Sequence, residues 1–494
     1  MEKLFAIILT AVLLTTAAPT ALLAQTAISS EVEEHILNEL NRANIPNAAI
    51  AVIQGGETSY ILKDSEHDTL FQIGSVAKSF TGFGVLLLED MGLLSVSDPV
   101  NMHLPWFEVR YSGLFVPHED ITIYNLLQHT SGLTSDERRF PSTVNELSQG
   151  ELIEQLTGIE LAFYPSQGHV YGNVNYVVLG LLIEAVSGQS YDDFITQSVL
   201  RPLGLYDTFT NVERAHDTGR TVGGHRYGFF RPRRIDAQWA SQTTPTGGGV
   251  YSSISDMVRW AKIQLGEIYV SEQFERVIQR SHENNHTLQN PFEDLGFVYA
   301  AGWGISEDGW GIIDYGSMQH AGSTFGAFAY VEVVSERDMA LVILLNVRLM
   351  NGPQWISLVW DAVDSGYLNR TGLDPNAIMD IAYVILTAFG ILFIGLFVRL
   401  AVKLIKQLRS GEKAKSKLRI RWLIAPILAI LGLLIFYVIG PMLFAMPFGT
   451  LVFFVPASIT TAIIAMWIMA AYSFCAFLAK VFGLSIKKMK NVEK

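Results

Sequence analysis

The feature that most constrains this chain is a run of 58 residues, Trp422 to Ala479, without a single charged side chain. One helix of that length would extend roughly 87 Å, whereas the hydrocarbon core of a bilayer is about 30 Å thick. The run therefore predicts two membrane spans, with the Pro- and Gly-containing stretch 440–449 as the turn between them. Another apolar stretch, Ala377 to Val398, contains only Asp380 as a charged residue. We predict transmembrane helices at 377–400, 422–443 and 451–479.

The distribution of charge orients these spans. Residues 399–494 hold fourteen of the 35 Lys and Arg residues and two of the 47 Asp and Glu residues, a net charge of +12. Since the whole chain carries −12, residues 1–398 carry −24. Basic loops stay in the cytoplasm, so the linker 401–421 and the tail 480–494 are predicted to be cytoplasmic. Membrane lipid, including anionic headgroups near the basic tracts, is a predicted partner.

The first residues predict the same orientation independently. Lys3 precedes an apolar stretch that ends in small residues near Ala24, a pattern typical of a secretory signal at 1–24. An uncleaved anchor and a buried core helix are the alternatives. We predict a multi-pass protein of the cell membrane, with residues 25–370 as an extracytoplasmic domain and a cytoplasmic tail.

Composition excludes several classes of protein. A chain that is 50% hydrophobic and 17% charged, with a mean hydropathy of +0.29, is neither disordered nor an ordinary cytosolic enzyme. Its one cysteine, Cys475, excludes an intrachain disulfide. The negative charge argues against a nucleic-acid partner, and the histidines lack metal-ligand spacing. We predict no metal and no cofactor.

Hydrophobic periodicity predicts a mixed α/β (α+β) domain in 25–370. Strands at both ends and helices between them suggest one antiparallel sheet built from both termini, with an inserted helical lobe. A cleft between two such lobes is a usual place for a site. The predicted strands are Ala48–Ile53, Ser59–Leu62, Gly326–Val334 and Met339–Leu345. The predicted helices are 30–43, Val76–Leu88, Asn175–Ala185 and Gln354–Val363.

A serine followed three residues later by a lysine is a candidate nucleophile with its base, because both side chains share one helix face. The chain contains three such pairs, Ser75–Lys78, Ser410–Lys413 and Ser485–Lys488. The last two pairs lie in the basic tracts, where the positive charge that orients the membrane spans already accounts for the lysines. Ser75 instead follows an apolar segment and is predicted to open the helix Val76–Leu88. Only three lysines occur between residues 25 and 398, so Lys78 is unusual in this domain.

Further motifs follow Ser75 in a fixed order. They are Leu126–Leu133 (LLQHTSGL), Tyr171–Tyr176 (YGNVNY), Pro202–Leu205 (PLGL), Gly247–Ser252 (GGGVYS), Gly302–Gly304 (GWG) and His320–Gly322 (HAG). The ordered set resembles the serine β-lactamase and penicillin-binding-protein superfamily, specifically its class C β-lactamase-like branch. That branch also includes D-amino-acid peptidases and esterases, and the resemblance covers roughly residues 30–368.

The resemblance implies a role for each site residue. It makes Ser75 the acylated nucleophile, Lys78 the neighbouring base, and Tyr171 a proton carrier beside the lysine, with Asn173 as its partner. The backbone N–H groups of Ser75 and Ser323 would form the oxyanion hole. A core aromatic is the alternative for Tyr171.

Two histidines are interpreted separately. His320-Ala321-Gly322 stands where many relatives have Lys-Thr-Gly, whose lysine helps bind the substrate carboxylate in β-lactamases. The charge of histidine is conditional, so this departure argues against strong β-lactamase activity. His320 and Gly322 remain predicted substrate-binding residues. His129 is predicted to be a structural loop residue and not a catalyst.

The predicted function is a membrane-anchored serine hydrolase that acts through an acyl-enzyme on a peptide or small amide. A cell-wall or D-amino-acid peptide is the expected substrate. A carboxylesterase or a β-lactamase of the same fold is the enzymatic alternative. A non-catalytic membrane sensor or binding protein is the alternative from another class. The sequence predicts no particular protein partner.

Overall fold

The fold is described from a computed structural model, which describes residues 28–134, 149–228, 231–235, 249–283, 297–306, 316–349 and 352–364. The predicted signal 1–24, the three predicted transmembrane helices, the linker 401–421 and the tail 480–494 lie outside these ranges. Within the described ranges, every helix is too short or too polar to cross a bilayer.

The described ranges contain both strands and α-helices. The strands are β1 (Ala48–Gln54), β2 (Glu57–Lys63), β3 (Leu70–Gln72), β4 (Val109–Tyr111), β5 (Leu114–Phe115), β6 (Ile159–Glu160), β7 (His225–Gly228), β8 (Arg231–Arg234), β9 (Tyr251–Ser253), β10 (Phe297–Ala300), β11 (Trp303–Ser306), β12 (Ser317–Ser323), β13 (Phe328–Val334), β14 (Met339–Leu345) and β15 (Val347–Arg348). The α-helices are α1 (Ser30–Arg42), α2 (Lys78–Asp90), α3 (Val100–His103), α4 (Ile123–Leu127), α5 (Gln149–Leu156), α6 (Asn173–Ser187), α7 (Tyr191–Phe194), α8 (Val212–Asp217), α9 (Ile254–Leu265), α10 (Glu272–His282) and α11 (Gly352–Asp364).

A seven-stranded antiparallel sheet forms the centre of the domain. Its strand order is β10-β11-β12-β13-β14-β1-β2, so β1 lies between its hairpin partner β2 and the distant β14. Ala48 of β1 pairs with Leu345 of β14 on one side and with Lys63 of β2 on the other. This arrangement confirms the predicted mixed α/β fold with a sheet built from both ends of the domain.

Alternation along β1 explains how the two layers of helices attach to the sheet. Ala48, Ile50 and Val52 belong to the apolar cluster that also contains the buried faces of α1 and α11. The intervening residues, Ala49, Ala51 and Ile53, belong to the larger cluster beneath the helical lobe. Both faces of the strand are covered, and this explains why its sequence is a continuous apolar run.

Helix α1 shows how local sequence sets these boundaries. The Ser29 side chain accepts a hydrogen bond from the backbone N–H of Val32 and thereby caps the helix. Val32, Ile36 and Leu40 recur at helical spacing and form the buried face. The expected helix 30–43 therefore matches α1 to within a residue.

Helix α2 is the centre of the helical lobe, and all its residues from Lys78 to Leu88 are buried. The turn between β10 and β11 packs against its first residues. A Cβ placed on Gly302 would lie 2.4 Å from the carbonyl oxygen of Lys78, and one on Gly82 would lie 2.1 Å from that of Ala301. The small residues let two backbones touch where the catalytic candidate Lys78 begins its helix.

The structure differs from the sequence-based prediction in two respects. Ser75 does not open an α-helix: it lies in a 3₁₀ turn, Gly74–Ala77, and α2 begins at Lys78. The described residues also form three small sheets besides the central one, in the orders β15-β7-β8, β3-β9 and β5-β4-β6. Their strands of two to four residues are too short to show an alternating pattern.

Candidate active site

Ser75 lies at the junction of a short sheet and the central helix. Strand β3 pairs with β9, and the chain then turns through Gly74, whose φ of +54° suits glycine. The flanking residues Gly74, Val76 and Ala77 are buried, whereas Ser75 is only partly buried. The turn therefore holds one hydroxyl at the surface of a rigid, buried segment.

Lys78 directs its ammonium group to this hydroxyl. Its Nζ donates hydrogen bonds to Ser75 Oγ at 3.1 Å and to Asn173 Oδ1 at 2.7 Å. The side chain is completely buried, and burial lowers the pKa of Lys78 well below its usual 10.5. The lowered pKa favours the neutral amine, which can take a proton from Ser75.

Tyr171 and Asn173 reach the lysine from the start of α6. Asn173 is the first residue of that helix, and the Tyr171 ring centroid lies 5.0 Å from Lys78 Nζ. The Tyr171 hydroxyl also hydrogen-bonds Ser75. Although the residue is 41% exposed overall, burial of its phenol end raises its pKa above the usual value of 10. The structure thus brings Ser75, Lys78, Tyr171 and Asn173 together.

Gly322 and Ser323 lie at the end of β12, directly against the Ser75 turn. A Cβ on Gly322 would lie 1.9 Å from the Ile73 carbonyl oxygen and 3.1 Å from the Ser75 amide nitrogen. A Cβ on Gly74 would lie 2.7 Å from the Ser323 amide nitrogen. The amides of Ser75 and Ser323 therefore flank one close backbone contact, as we expect for two amides that donate to the same oxyanion.

His320 lies on β12 beside this contact and is buried. Its Nδ1 is 2.8 Å from the Ala321 carbonyl oxygen, and its Nε2 is 2.9 Å from the Tyr299 hydroxyl. Burial, assisted by the charge of Lys78, lowers the pKa of His320 to about 3. The position at which many relatives have a lysine is therefore uncharged at neutral pH.

His129 packs against the segment that contains Tyr171 and Gly172. It is buried, and its Nδ1 accepts a hydrogen bond of 3.4 Å from the Gly172 amide. Its ring centroid lies 4.5 Å from that of Tyr171 and 4.6 Å from that of Tyr299. Burial lowers the pKa of His129 well below 6.5. These contacts suit the structural role predicted for this residue.

Sequence reasoning missed Tyr176 and Tyr299. Lys78 Nζ lies 5.6 Å from the ring centroid of Tyr176, and Tyr299 bonds His320. Tyr176 is the last residue of the motif Tyr171–Tyr176, so its place in that motif could have identified it as a site residue. Tyr299 carries no such signal, because it reaches His320 only through the pairing of β10, β11 and β12.

The described residues contain no group of three or more His, Cys, Asp or Glu side chains arranged to hold a metal ion. The ionisable groups identified around Ser75 are instead a lysine, tyrosines and histidines. Such a set can transfer protons between a serine hydroxyl and a leaving group.

A buried lysine that hydrogen-bonds a partly exposed serine, at the start of a helix packed beside an antiparallel sheet, is the arrangement expected of serine β-lactamase and penicillin-binding-protein-like hydrolases. The sequence model of the β-lactamase family matches residues 32–361. The chain belongs to the β-lactamase family.

Individual relatives agree with this membership. Protein flp of Staphylococcus aureus (strain N315) is 28% identical over 345 residues, 65% of this chain. That alignment spans 66% of the length of flp, just under two thirds. A penicillin-binding protein of Bacillus subtilis (strain 168) is 35% identical over 150 residues, which are 28% of this chain and 30% of that protein. A class C β-lactamase of known structure has the same fold, with a TM-score of 0.56 and 18% identity over 68% of this chain and 97% of its own.

Proposed function

We propose that the domain is a serine hydrolase that cleaves an amide or ester through an acyl-enzyme on Ser75. The observation that carries the proposal is the hydrogen-bonded chain Ser75–Lys78–Asn173, in which a buried lysine of lowered pKa contacts the one partly exposed hydroxyl of the turn. Family membership supports the class of reaction. One relative is named as a penicillin-binding protein, and penicillin is itself a cyclic amide, which supports an amide substrate.

The proposed reaction has two halves. Neutral Lys78 takes the proton of Ser75 as Oγ attacks the substrate carbonyl, and the N–H groups of Ser75 and Ser323 bind the resulting oxyanion. Collapse of this intermediate expels the amine or alcohol, which gains a proton through Tyr171 or Lys78. Lys78 then takes a proton from a water molecule that attacks the acyl-enzyme, and this proton passes to Ser75 Oγ as the acid product leaves. The raised pKa of Tyr171 keeps its phenol protonated and leaves Lys78 as the base, so the phenol can pass a proton to the leaving group only as it receives one from protonated Lys78.

The proposed natural substrate is a cell-wall peptide or another D-amino-acid amide. A small ester is the runner-up, and the uncharged state of His320 favours it over a β-lactam with its carboxylate. Either substrate would bind beside Ser75, between β12 and the start of α6.

Covalent labelling tests the nucleophile. A fluorescent fluorophosphonate should label the wild-type chain and should not label Ser75→Ala. Ser410→Ala is a matched control, because Ser410 also precedes a lysine by three residues. It should label as the wild type does. Full labelling of Ser75→Ala, measured by gel fluorescence and peptide mass, contradicts the assignment.

We also propose that residues 377–479 anchor this domain at the outer face of a membrane through three spans. The uncharged run 422–479 and the unequal distribution of charge support this topology. The basic linker 401–421 and the tail 480–494 would then face the cytoplasm.

The single cysteine makes this topology testable. In a Cys475→Ser background, a cysteine introduced at Ser335, which is exposed on the domain, should react with a membrane-impermeant maleimide on intact cells. One introduced at Ser416 in the linker should react only after lysis. Equal labelling of both positions on intact cells would show that the proposed orientation is wrong.

A further inference from the structure

The hydrogen bonds of His320 determine where its protons lie. A carbonyl oxygen only accepts, so the contact to Ala321 requires a hydrogen on Nδ1. In the neutral ring, Nε2 is then an acceptor, and it accepts the hydroxyl hydrogen of Tyr299 at 2.9 Å. Both nitrogens are thus used within the protein. His320 has no N–H left to offer to a substrate.

The groups that face His320 keep it in this state. Tyr299 contacts His320 from β10, and the ring centroids of Tyr171 and His320 are 6.2 Å apart. The charges of Lys78 and His129 also interact with that of His320. Among these described neighbours there is no carboxylate that would stabilise an imidazolium. Any charge on Lys78 disfavours one, because like charges repel.

A carboxylate held beside β12 would therefore meet an unfavourable surface. The carboxylate would be desolvated there, and His320 would offer it neither a positive charge nor a free N–H group. Burial of an ion without a partner is strongly disfavoured. An ester or an internal amide carries no such charge at this point. Its binding depends instead on contacts and on the oxyanion donors at Ser75 and Ser323.

We propose that Tyr299 is a specificity-determining residue: by donating to His320 Nε2 it makes the β12 side of the site select acyl donors without a free carboxylate there. The preferred substrates are esters and internal amides of D-amino acids. This inference rests on the proposed function, because it assumes acylation of Ser75. It narrows the substrate class that the family leaves open.

A matched substrate pair tests the inference. N-acetyl-D-alanyl-D-alanine and its methyl ester at the terminal carboxyl group differ by one methyl group, which removes the negative charge. Each is used, with the purified full chain in detergent, to compete against fluorophosphonate labelling of Ser75. We expect the uncharged member to compete at least tenfold better with the wild-type chain.

Two substitutions should change this ratio in the same direction. His320→Lys restores a cation on β12 and should shift the ratio at least tenfold toward the free carboxylate. Tyr299→Phe removes the hydrogen-bond donor to Nε2 and should produce a smaller shift, because the neutral ring can then carry its hydrogen on Nε2 and donate it to a carboxylate. Tyr269→Phe, at a tyrosine that is 81% exposed, is the matched control and should leave the ratio unchanged.

The outcomes separate this inference from the proposed function. If the wild-type chain is not labelled at Ser75, the proposed function fails. If labelling occurs but the uncharged member does not compete better, the specificity inference alone is overturned. An unchanged ratio in both His320→Lys and Tyr299→Phe, with labelling retained in each, overturns it as well.

Discussion

Replacement of Lys78 by methionine is expected to lower kcat/KM for an activated ester by about 10³-fold, within the range typical of a lost general base. Methionine fills a similar buried volume but cannot take the proton of Ser75, which Lys78 Nζ contacts at 3.1 Å. Lys63→Met is the matched control, since the ammonium group of Lys63 pairs with exposed Asp64. Steady-state kinetics should show that control within twofold of the wild type.

The same variant has a pH signature in its stability. Burial makes the pKa of Lys78 lower in the folded domain than in the unfolded chain, so the unfolded chain binds more protons between these two values. The wild-type free energy of unfolding, relative to Lys78→Met, should therefore rise as the pH rises through this window toward 10.5. Denaturant titrations at several pH values measure the difference. A difference that is constant or falls with rising pH would contradict a buried lysine of lowered pKa.

Gly322→Ala should reduce the rate of Ser75 acylation by about 10² to 10³-fold, the usual effect of losing an oxyanion donor. The added methyl group would lie 1.9 Å from the Ile73 carbonyl oxygen, so β12 must move away from the Ser75 turn. This movement separates the amides of Ser75 and Ser323. The rate of fluorophosphonate labelling measures the effect directly.

A control distinguishes this effect from general damage by an added methyl group. Gly150 lies in α5, and a Cβ there meets nothing within 4 Å. Gly150→Ala should label at the wild-type rate and slightly stabilise its helix. If Gly322→Ala labels as fast as Gly150→Ala, the pairing of β12 with the Ser75 turn has no part in the chemistry.

Much of this fold follows from local pattern. The hairpin predicted from Gly326–Val334 and Met339–Leu345 corresponds to β13 and β14 within two residues, because both strands are long and apolar and a polar turn separates them. The predicted helix Asn175–Ala185 lies inside α6, which ends where Gly188 adopts a left-handed conformation. Long elements with clear periods and stop signals are the ones that sequence determines best.

The candidate site was predictable only where its residues are close in sequence or belong to a motif. Ser75 and Lys78 are three residues apart, so one turn of helix brings them together. Asn173 was found through resemblance, although its bond to Lys78 spans 95 residues of sequence. Tyr299 could not be found, because its contact with His320 depends on how three strands pair. The protonation state of His320 depends on the same strand pairing, because that pairing buries the ring and places Tyr299 beside it.

The position of β1 between β2 and β14 has a consequence for how the domain is made. Residues that pair across the middle of the sheet, such as Ala48 and Leu345, lie about 300 residues apart in the chain. The β1–β2 hairpin keeps an unpaired inner edge until β14 has left the ribosome. Such distant contacts fold slowly, so the chain passes through a period in which an apolar strand edge is open to aggregation or chaperone binding. We therefore expect the order of synthesis, as well as final stability, to affect the yield of active protein.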